Sequence, residues 1–366
     1  ALPGSRQAAG ARAAGGPAGG LQLFTVFSAE CSPYFEWQTL TLHRTWKTAG
    51  LPGQLVRLVA CDAARPGALR LPKLEGLATH MHDVADPSYL PLNKPWGLLS
   101  WLTEGDGMGL PSDAVILLVD ADMAFSAEGV REAVLELAER VRAGEAPALG
   151  SDYEYTVRGL RAQNWSLALH FNVTDVERLQ SIGVPIFIRK DALESFVWDY
   201  YGITLAIVSD PKLHALVHDG RRPAPWIAEM AGYTLAAARL RHETQARWPA
   251  LEAPQPPWGA RSEQPLLVHY DHGFHLCGRP FAKLAYRGTD LLDCSLAAET
   301  LAALTPPSRE EAALDSCGLC LEAGDAFGST AGCRLSGGSK RFSLYAWEQV
   351  HGALLSWRAG RCAGGA

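Results

Sequence analysis

The sequence has no apolar run near the ~18 residues that cross a bilayer as a helix, which excludes a helical membrane-embedded chain. It is expected to be soluble, with any membrane attachment supplied by an anchor absent from it. Positive charge is not in excess: 33 Lys and Arg face 39 Asp and Glu, for a net charge of −6. A general nucleic-acid binder displays a basic patch, so nucleic acid is excluded as a partner. No charged segment followed by an apolar one opens the chain at Ala1, so it reads as a processed or partial sequence. Internal repeats are also lacking. Wholesale disorder is excluded by a hydrophobic share of 48%.

What is present is 366 residues, enough for about two domains or one large α/β unit at roughly 150 residues each. Residues 1–20 are mostly Ala, Gly, Pro and Arg and cannot bury enough surface to offset chain entropy, so they read as a disordered tail. There are eight cysteines. Cys317-Gly-Leu-Cys320 has zinc or redox spacing but lacks a second close pair, and the even total suits disulfides. Two glycosylation sequons, at Asn164 and Asn172, point the same way, to the lumen of the endoplasmic reticulum or Golgi apparatus.

Leu23–Ser28 and Gln54–Ala60 read as strands. Between them Ser32 and Pro33 open a helix that Gly50 ends. Residues 62–92 read as loop with short elements. Pro95 opens a second helix. The run Ala114–Val119 has strand length and no polar residue, as in a strand buried on both faces. Ser126 is expected to cap a helix reaching Arg142, with Glu136 and Arg140 paired along it. Further on, Gly183–Arg189 and Leu266–Tyr270 read as strands. Asp191–Tyr201, Pro225–Arg241 and the stretch around Phe342–Trp357 read as helices. Strands alternating with helices indicate an α/β sheet with crossover helices.

The sharpest chemical signal is Asp120-Ala121-Asp122, directly after the apolar strand. Ligands of open α/β sheets bind beyond the carboxyl ends of strands. Two carboxylates there offer hard oxygens to Mg²⁺ or Mn²⁺, whose remaining positions suit substrate phosphates. Solvated turn residues are the plain alternative. Phosphatases with an aspartate nucleophile also place D-x-D after a strand, but they set it early and follow it differently from Met123-Ala124. His269, at a strand end, can complete a metal shell or serve as an ordinary core or surface histidine. Glu229 sits in an apolar helix and needs a partner or a substrate. Lys94 precedes a helix start, where phosphate oxygens are favoured.

Taken in order, these blocks resemble a known family. LFTVFSAECSPYFEWQTLTLHRTWKTAGLPGQLVRLVAC (Leu23–Cys61), PLNKPWGLLSWL (Pro91–Leu102), VILLVDADM (Val115–Met123), WIAEMAGYTLAAA (Trp226–Ala238) and LLVHY (Leu266–Tyr270) resemble the peptidyl serine α-galactosyltransferases of plants and green algae. The related hydroxyproline O-arabinosyltransferases share NKPW-like, EMAGY-like and QPPW-like blocks (here Gln255–Trp258) but typically lack the full D-x-D. The resemblance implies a GT-A-like α/β fold: one Rossmann-like nucleotide-binding sheet with helices on both faces. On that reading residues 21–300 form the glycosyltransferase domain and residues 301–366 a Cys-rich C-terminal extension.

The resemblance further implies a UDP-galactose donor, a divalent cation (Mn²⁺ or Mg²⁺) and a serine hydroxyl in a hydroxyproline-rich, extensin-like acceptor protein. Asp120, Asp122 and His269 would hold the metal. Ser28, Glu30, Lys94 and Asp120 would lie at the donor, and Glu229 or Asp271 would stabilise the reacting sugar. An α-linked donor giving an α-linked product means retention, with the acceptor attacking on the face that UDP leaves. Two other readings stand beside it: a hydroxyproline O-arabinosyltransferase using UDP-arabinofuranose, and a non-catalytic glycan- or nucleotide-binding scaffold. The stretch after His269, with Asp271-His272 and His275-Leu276-Cys277, departs from the family pattern, and residues 315–335 match nothing recognisable.

Overall fold

The structure is a computed structural model. It describes residues 20–61, 74–126, 129–176, 179, 182–239, 246–247, 252–254, 265–270, 273–296, 298–314, 316–317, 319–321 and 337–362. The tail at residues 1–19, the QPPW block and Asp271 therefore lie outside the described residues.

The strands are β1 (Leu23–Glu30), β2 (Gln54–Cys61), β3 (Leu77–Asp83), β4 (Val115–Asp120), β5 (Met123–Phe125), β6 (Ala148–Asp152), β7 (Ile182–Arg189), β8 (Ala246–Arg247), β9 (Glu252–Pro254), β10 (Leu267–His269), β11 (Phe274–Leu276), β12 (Arg279–Phe281) and β13 (Leu319–Leu321). The helices are α1 (Pro33–Thr48), α2 (Asn93–Glu104), α3 (Val130–Arg142), α4 (Glu154–Ala162), α5 (Ser166–His170), α6 (Lys190–Ser209), α7 (Pro211–His214), α8 (Ala228–Arg239), α9 (Ala298–Ala303), α10 (Arg309–Ala313) and α11 (Gly337–Arg361).

A seven-stranded sheet in the order β3-β2-β1-β4-β7-β6-β8 forms the body. Its first four strands run parallel, whereas β7 is antiparallel to both β4 and β6. Every residue from Val115 to Val119 is buried, so β4 is covered on both faces, as its unbroken apolar run requires. Helices α1, α2, α3 and α6 pack against this sheet. The architecture is a mixed α/β sheet with helices packed against it and the acidic pair at the end of a central strand. The sheet is not alone: β5-β10-β9 and β12-β11-β13 form two small sheets beside it.

Several local expectations change. Residues 77–83 are a strand, not loop. The sequence LATHMHD lacks an apolar alternation because β3 is an edge strand and mostly half-exposed. Ser126 does not cap α3, which begins at Val130 behind Gly129 in the left-handed region (φ 67°). The Ser126 hydroxyl donates instead to the Pro265 carbonyl at 2.6 Å, tying β5 to the approach of β10. Arg140 pairs with Glu145 at 2.7 Å, across the helix end. The helix expected from Asp191 to Tyr201 runs on to Ser209.

The buried residues fall into two clusters. The larger lies on both sides of the seven-stranded sheet. The smaller joins Tyr34, Trp37 and Leu40 of α1 to Val268, Tyr270, Phe274 and Phe281, and to Trp347 and Leu354 of α11. The indole of Trp347 is fully buried and donates to the Leu304 carbonyl at 2.7 Å. Tyr345 donates to the Phe125 carbonyl at 2.5 Å. The C-terminal segment thus shares a core with the strands that carry His269. Disulfides join Cys31 to Cys61, Cys277 to Cys317 and Cys294 to Cys362. Cys317 is committed to Cys277, which removes it from a zinc-binding pair with Cys320. Among the described residues, no helix is long and apolar enough to cross a membrane.

Candidate active site

Asp120 is the last residue of β4, and Ser28 of β1 lies beside it in register. The chain turns at Ala121 and re-enters as β5, which pairs antiparallel with β10 so that Met123 faces His269. The Tyr270 N–H donates to the Asp122 carbonyl at 3.0 Å, extending that ladder across the turn. This pairing puts His269 at the carboxylates: its Nε2 lies 3.2 Å from Asp122 Oδ1. One ligand atom from each of Asp120, Asp122 and His269 falls within 4.8 Å of the others.

Two lysines enter the cluster, one on each aspartate. Lys94, in the first turn of α2, sits 2.8 Å from Asp120 Oδ1 and 3.6 Å from Glu229 Oε2. Lys283 opens a short 3-10 helix (Lys283–Tyr286) and places its ammonium 2.5 Å from Asp122 Oδ2. The Tyr34 hydroxyl of α1 lies beside Lys283. Glu229, in the first turn of α8, accepts a hydrogen bond from the Tyr200 hydroxyl. The Glu229 N–H donates to the Tyr89 hydroxyl at 2.9 Å, and Tyr89 donates to the Trp226 carbonyl at 2.9 Å. The buried glutamate has the partners that its apolar helix demands.

The charges are set by these neighbours. Burial pushes the Asp122 carboxyl up, but Lys283 and His269 outweigh it and hold the group well below the usual carboxylate range. Burial also raises the Glu229 carboxyl; Lys94 works against that and Asp120 adds to it. Burial opposes the charge of Lys94, yet Asp120 and Glu229 overcome it and raise its pKa, so the ammonium is firmly cationic. At Glu30, the terminal residue of β1, burial raises the carboxyl while Arg287 opposes the rise.

The donor set fits a divalent cation. Two hard carboxylates and an imidazole suit Mn²⁺ or Mg²⁺, and a cation, the Lys283 ammonium, already stands among them. Of the residues singled out in the sequence, Asp120, Asp122, His269, Lys94 and Glu229 form one contiguous group, with Ser28 at its edge and Glu30 two residues beyond Ser28. Sequence reasoning missed Lys283, Tyr200, Tyr89 and Tyr34. Lys283 is 161 residues from Asp122 and sits in FAKLAY, which has no motif-like spacing. Tyr89, five residues before Lys94, was the most findable.

No protein-family model matches the chain. It is 24% identical over 272 residues to a peptidyl serine alpha-galactosyltransferase of Chlamydomonas reinhardtii, covering 68% of this chain and 34% of that protein. To the Arabidopsis thaliana protein of the same description it is 26% identical over 282 residues, covering 74% and 32%. To hydroxyproline O-arabinosyltransferase NOD3 of Pisum sativum it is 22% identical over 269 residues, covering 69% and 70%. The chain is a distant relative of these two glycosyltransferase groups. It spans about a third of the length of the two galactosyltransferases. Among solved structures it is similar to the galactosyltransferase LgtC with donor and acceptor sugar analogues (TM-score 0.39, 10% identity, 68% of this chain and 87% of that one). Apo mouse xyloside xylosyltransferase 1 gives a TM-score of 0.36 at 11% identity, covering 69% and 97%.

Proposed function

We propose that the chain is a divalent-cation-dependent glycosyltransferase that moves galactose from UDP-α-galactose to a serine hydroxyl of a hydroxyproline-rich, extensin-like protein. The observation that carries this reading is the convergence of Asp120, Asp122 and His269 beside Lys94, in a relative of serine galactosyltransferases. Asp120, Asp122 and His269 would hold Mn²⁺ or Mg²⁺. When bound, the metal supplies positive charge to the departing diphosphate.

The chain's own groups do the rest. Lys94, pinned between Asp120 and Glu229, fixes the spacing of the acidic cluster and presents positive charge toward the donor. The serine oxygen attacks the anomeric carbon on the face that UDP leaves. The bond from that carbon to the diphosphate oxygen breaks, and the serine proton passes to the diphosphate. The configuration is retained and no protein nucleophile is consumed. Glu229, locked by Tyr200 and by its own N–H on Tyr89, orients the sugar or supports positive charge at the anomeric carbon. Asp271 is proposed for the same work. Ser28 and Glu30 lie at the nucleotide.

Transfer of arabinose to hydroxyproline is the second reading, favoured by one observation: the match to NOD3 covers 70% of that protein. The complete D-x-D favours galactose. Three disulfides and two exposed sequon asparagines, Asn164 and Asn172, support work in the lumen of the endoplasmic reticulum or Golgi.

The test is UDP release from UDP-galactose and from UDP-arabinofuranose, with and without a Ser-hydroxyproline peptide, across divalent metals. Peptide-dependent release from UDP-galactose in Mn²⁺, with a mass gain of one hexose on serine, is expected. Release only from the arabinose donor would select the second reading, and release from neither would overturn both.

A further inference from the structure

Among the described residues, two exposed large apolar side chains stand next to groups of the acidic cluster. Trp226 is 46% exposed and precedes Glu229 by three positions, and Leu284 is 54% exposed and directly follows Lys283. Glu229 meets the cluster at Lys94, on Asp120, whereas Lys283 meets it at Asp122. A charged centre is thus flanked by an indole on one segment and an aliphatic side chain on another.

Trp226 is held in place. It sits in a 3-10 turn (Pro225–Ile227) that runs directly into α8, so it shares a face with Glu229, three positions on. Its backbone is pinned on both sides. The Pro225 carbonyl accepts from His214 Nε2 at 3.1 Å, and the Trp226 carbonyl accepts from the Tyr89 hydroxyl at 2.9 Å. The same hydroxyl accepts from the Glu229 N–H at 2.9 Å, so one anchor serves both residues. An aromatic ring left in water on a fixed backbone forfeits burial, and a partner that covers it recovers the burial with little loss of chain freedom.

The chemistry of the flanks selects the partner. A nucleoside diphosphate and a divalent cation are met by the carboxylates, the imidazole and the ammoniums, and neither needs an indole or a leucine at the rim. A peptide whose serine enters the cluster must carry its neighbouring residues over the rim on either side. Proline-rich segments do so as a preformed polyproline II helix, rising about 3.1 Å per residue, and surfaces lined by aromatic side chains read them.

On the reading that the acceptor is a serine in a proline-rich peptide, we propose that Trp226 and Leu284 form its docking contacts. The Trp226 indole takes the ring of a proline or hydroxyproline on one side of the serine, and Leu284 takes the neighbour on the other. These contacts select the residues around the serine and leave the donor untouched.

The experiment compares a peptide with prolines flanking its serine and the same peptide with alanines there, at saturating UDP-galactose and Mn²⁺, with hexose transfer followed by mass spectrometry. Trp226→Ala should raise KM for the proline peptide roughly tenfold. It should leave kcat and KM for UDP-galactose within about twofold, the pattern of a lost binding contact. The alanine peptide should respond little, and Trp226→Phe, which keeps a ring, should restore most of the affinity. Leu284→Ala should act in the same direction with a smaller rise. Trp198→Ala removes an indole that is 63% exposed, two residues from Tyr200 and so on the opposite face of α6, and should change nothing. Should Trp226→Ala fail to fold, Trp226→Leu makes the same comparison. Unchanged KM in the Trp226 variant, or an equal rise on both peptides, overturns the inference and leaves the glycosyltransferase reading standing. So does self-association of the unmodified protein in analytical ultracentrifugation that Trp226→Ala abolishes, which would assign the surface to a second copy. No transfer to either peptide by the unmodified protein overturns both.

Discussion

The two cores of the molecule are ordered by different means. The sheet core has strands of six to eight residues in β1, β2, β3, β4 and β7, and burial along both faces supplies its stability. The smaller core is built from three-residue strands, β5, β10, β11 and β12, around Trp347. Strands that short bury little and are marginal alone, and here two disulfides and a long C-terminal helix brace them. The site lies where the two cores meet. Asp120, Ser28 and Lys94 come from the sheet side, while His269 and Lys283 come from the braced side. Half of the proposed chemistry therefore depends on the region with the least secondary structure.

The most severe way to break this comparison is Trp347→Ala. It should cost about 3–5 kcal/mol, the usual range for a large buried aromatic, and abolish UDP-dependent thermal stabilisation. Leu117→Ala in β4, at about 2–5 kcal/mol, should lower the whole unfolding transition instead. Chemical denaturation followed by far-ultraviolet circular dichroism, run with and without UDP, distinguishes the two. Next in size is the acidic pair. Asp122→Ala should lower galactose transfer by roughly 100-fold or more, and by more than Asp120→Ala, because Asp122 contacts both His269 and Lys283. Steady-state rates at saturating Mn²⁺ check the order.

Removing the Cys294–Cys362 bond by a double serine substitution should cost about 2–4 kcal/mol, read in the same denaturation experiment. Tyr200→Phe leaves Glu229 without one donor in a buried setting and should reduce kcat roughly tenfold, in line with about 1.5 kcal/mol for a hydrogen bond to a charged group. KM for UDP-galactose should move less than kcat.

The smallest effect tests the sheet side by pH. Burial lowers the pKa of His82, on β3, from the ordinary 6.5. The unfolded chain therefore takes up a proton at a higher pH than the folded one does. Stability from this group is complete above about pH 6.5 and declines as the pH falls from there toward the folded-state value. Between pH 7 and pH 5 stability should fall, and His82→Leu should flatten part of that slope in thermal melts.

Particular residues mark what was legible beforehand. The run Val115–Val119 announced a strand buried on both sides because no polar residue interrupts it, and Asp120 and Asp122 could be placed at its end for the same reason. Gly50 announced the end of α1 and adopts a positive φ of 62° there. β3 was illegible because an edge strand need not alternate. Ser126 misled because a serine ahead of a helix serves equally well as a cap or, as here, as a donor to a neighbouring strand. Lys283 carried no signal because its partner is supplied from the far side of a second core.

By itself the sequence determined the long buried strands β1, β2, β4 and β7, the helices α1, α2 and α8 and the position of the acidic pair, because local apolar patterning and turn residues act over a few neighbours. It also determined that His269 and Glu229 were the groups to watch. Only the tertiary structure decided that β5 pairs with β10 and so sets His269 against Asp122, that Tyr200 and Lys94 answer the buried Glu229, and that Lys283 occupies Asp122. These are meetings between segments far apart in the chain. They are fixed by which surfaces must be buried together, a property that no single stretch of sequence possesses.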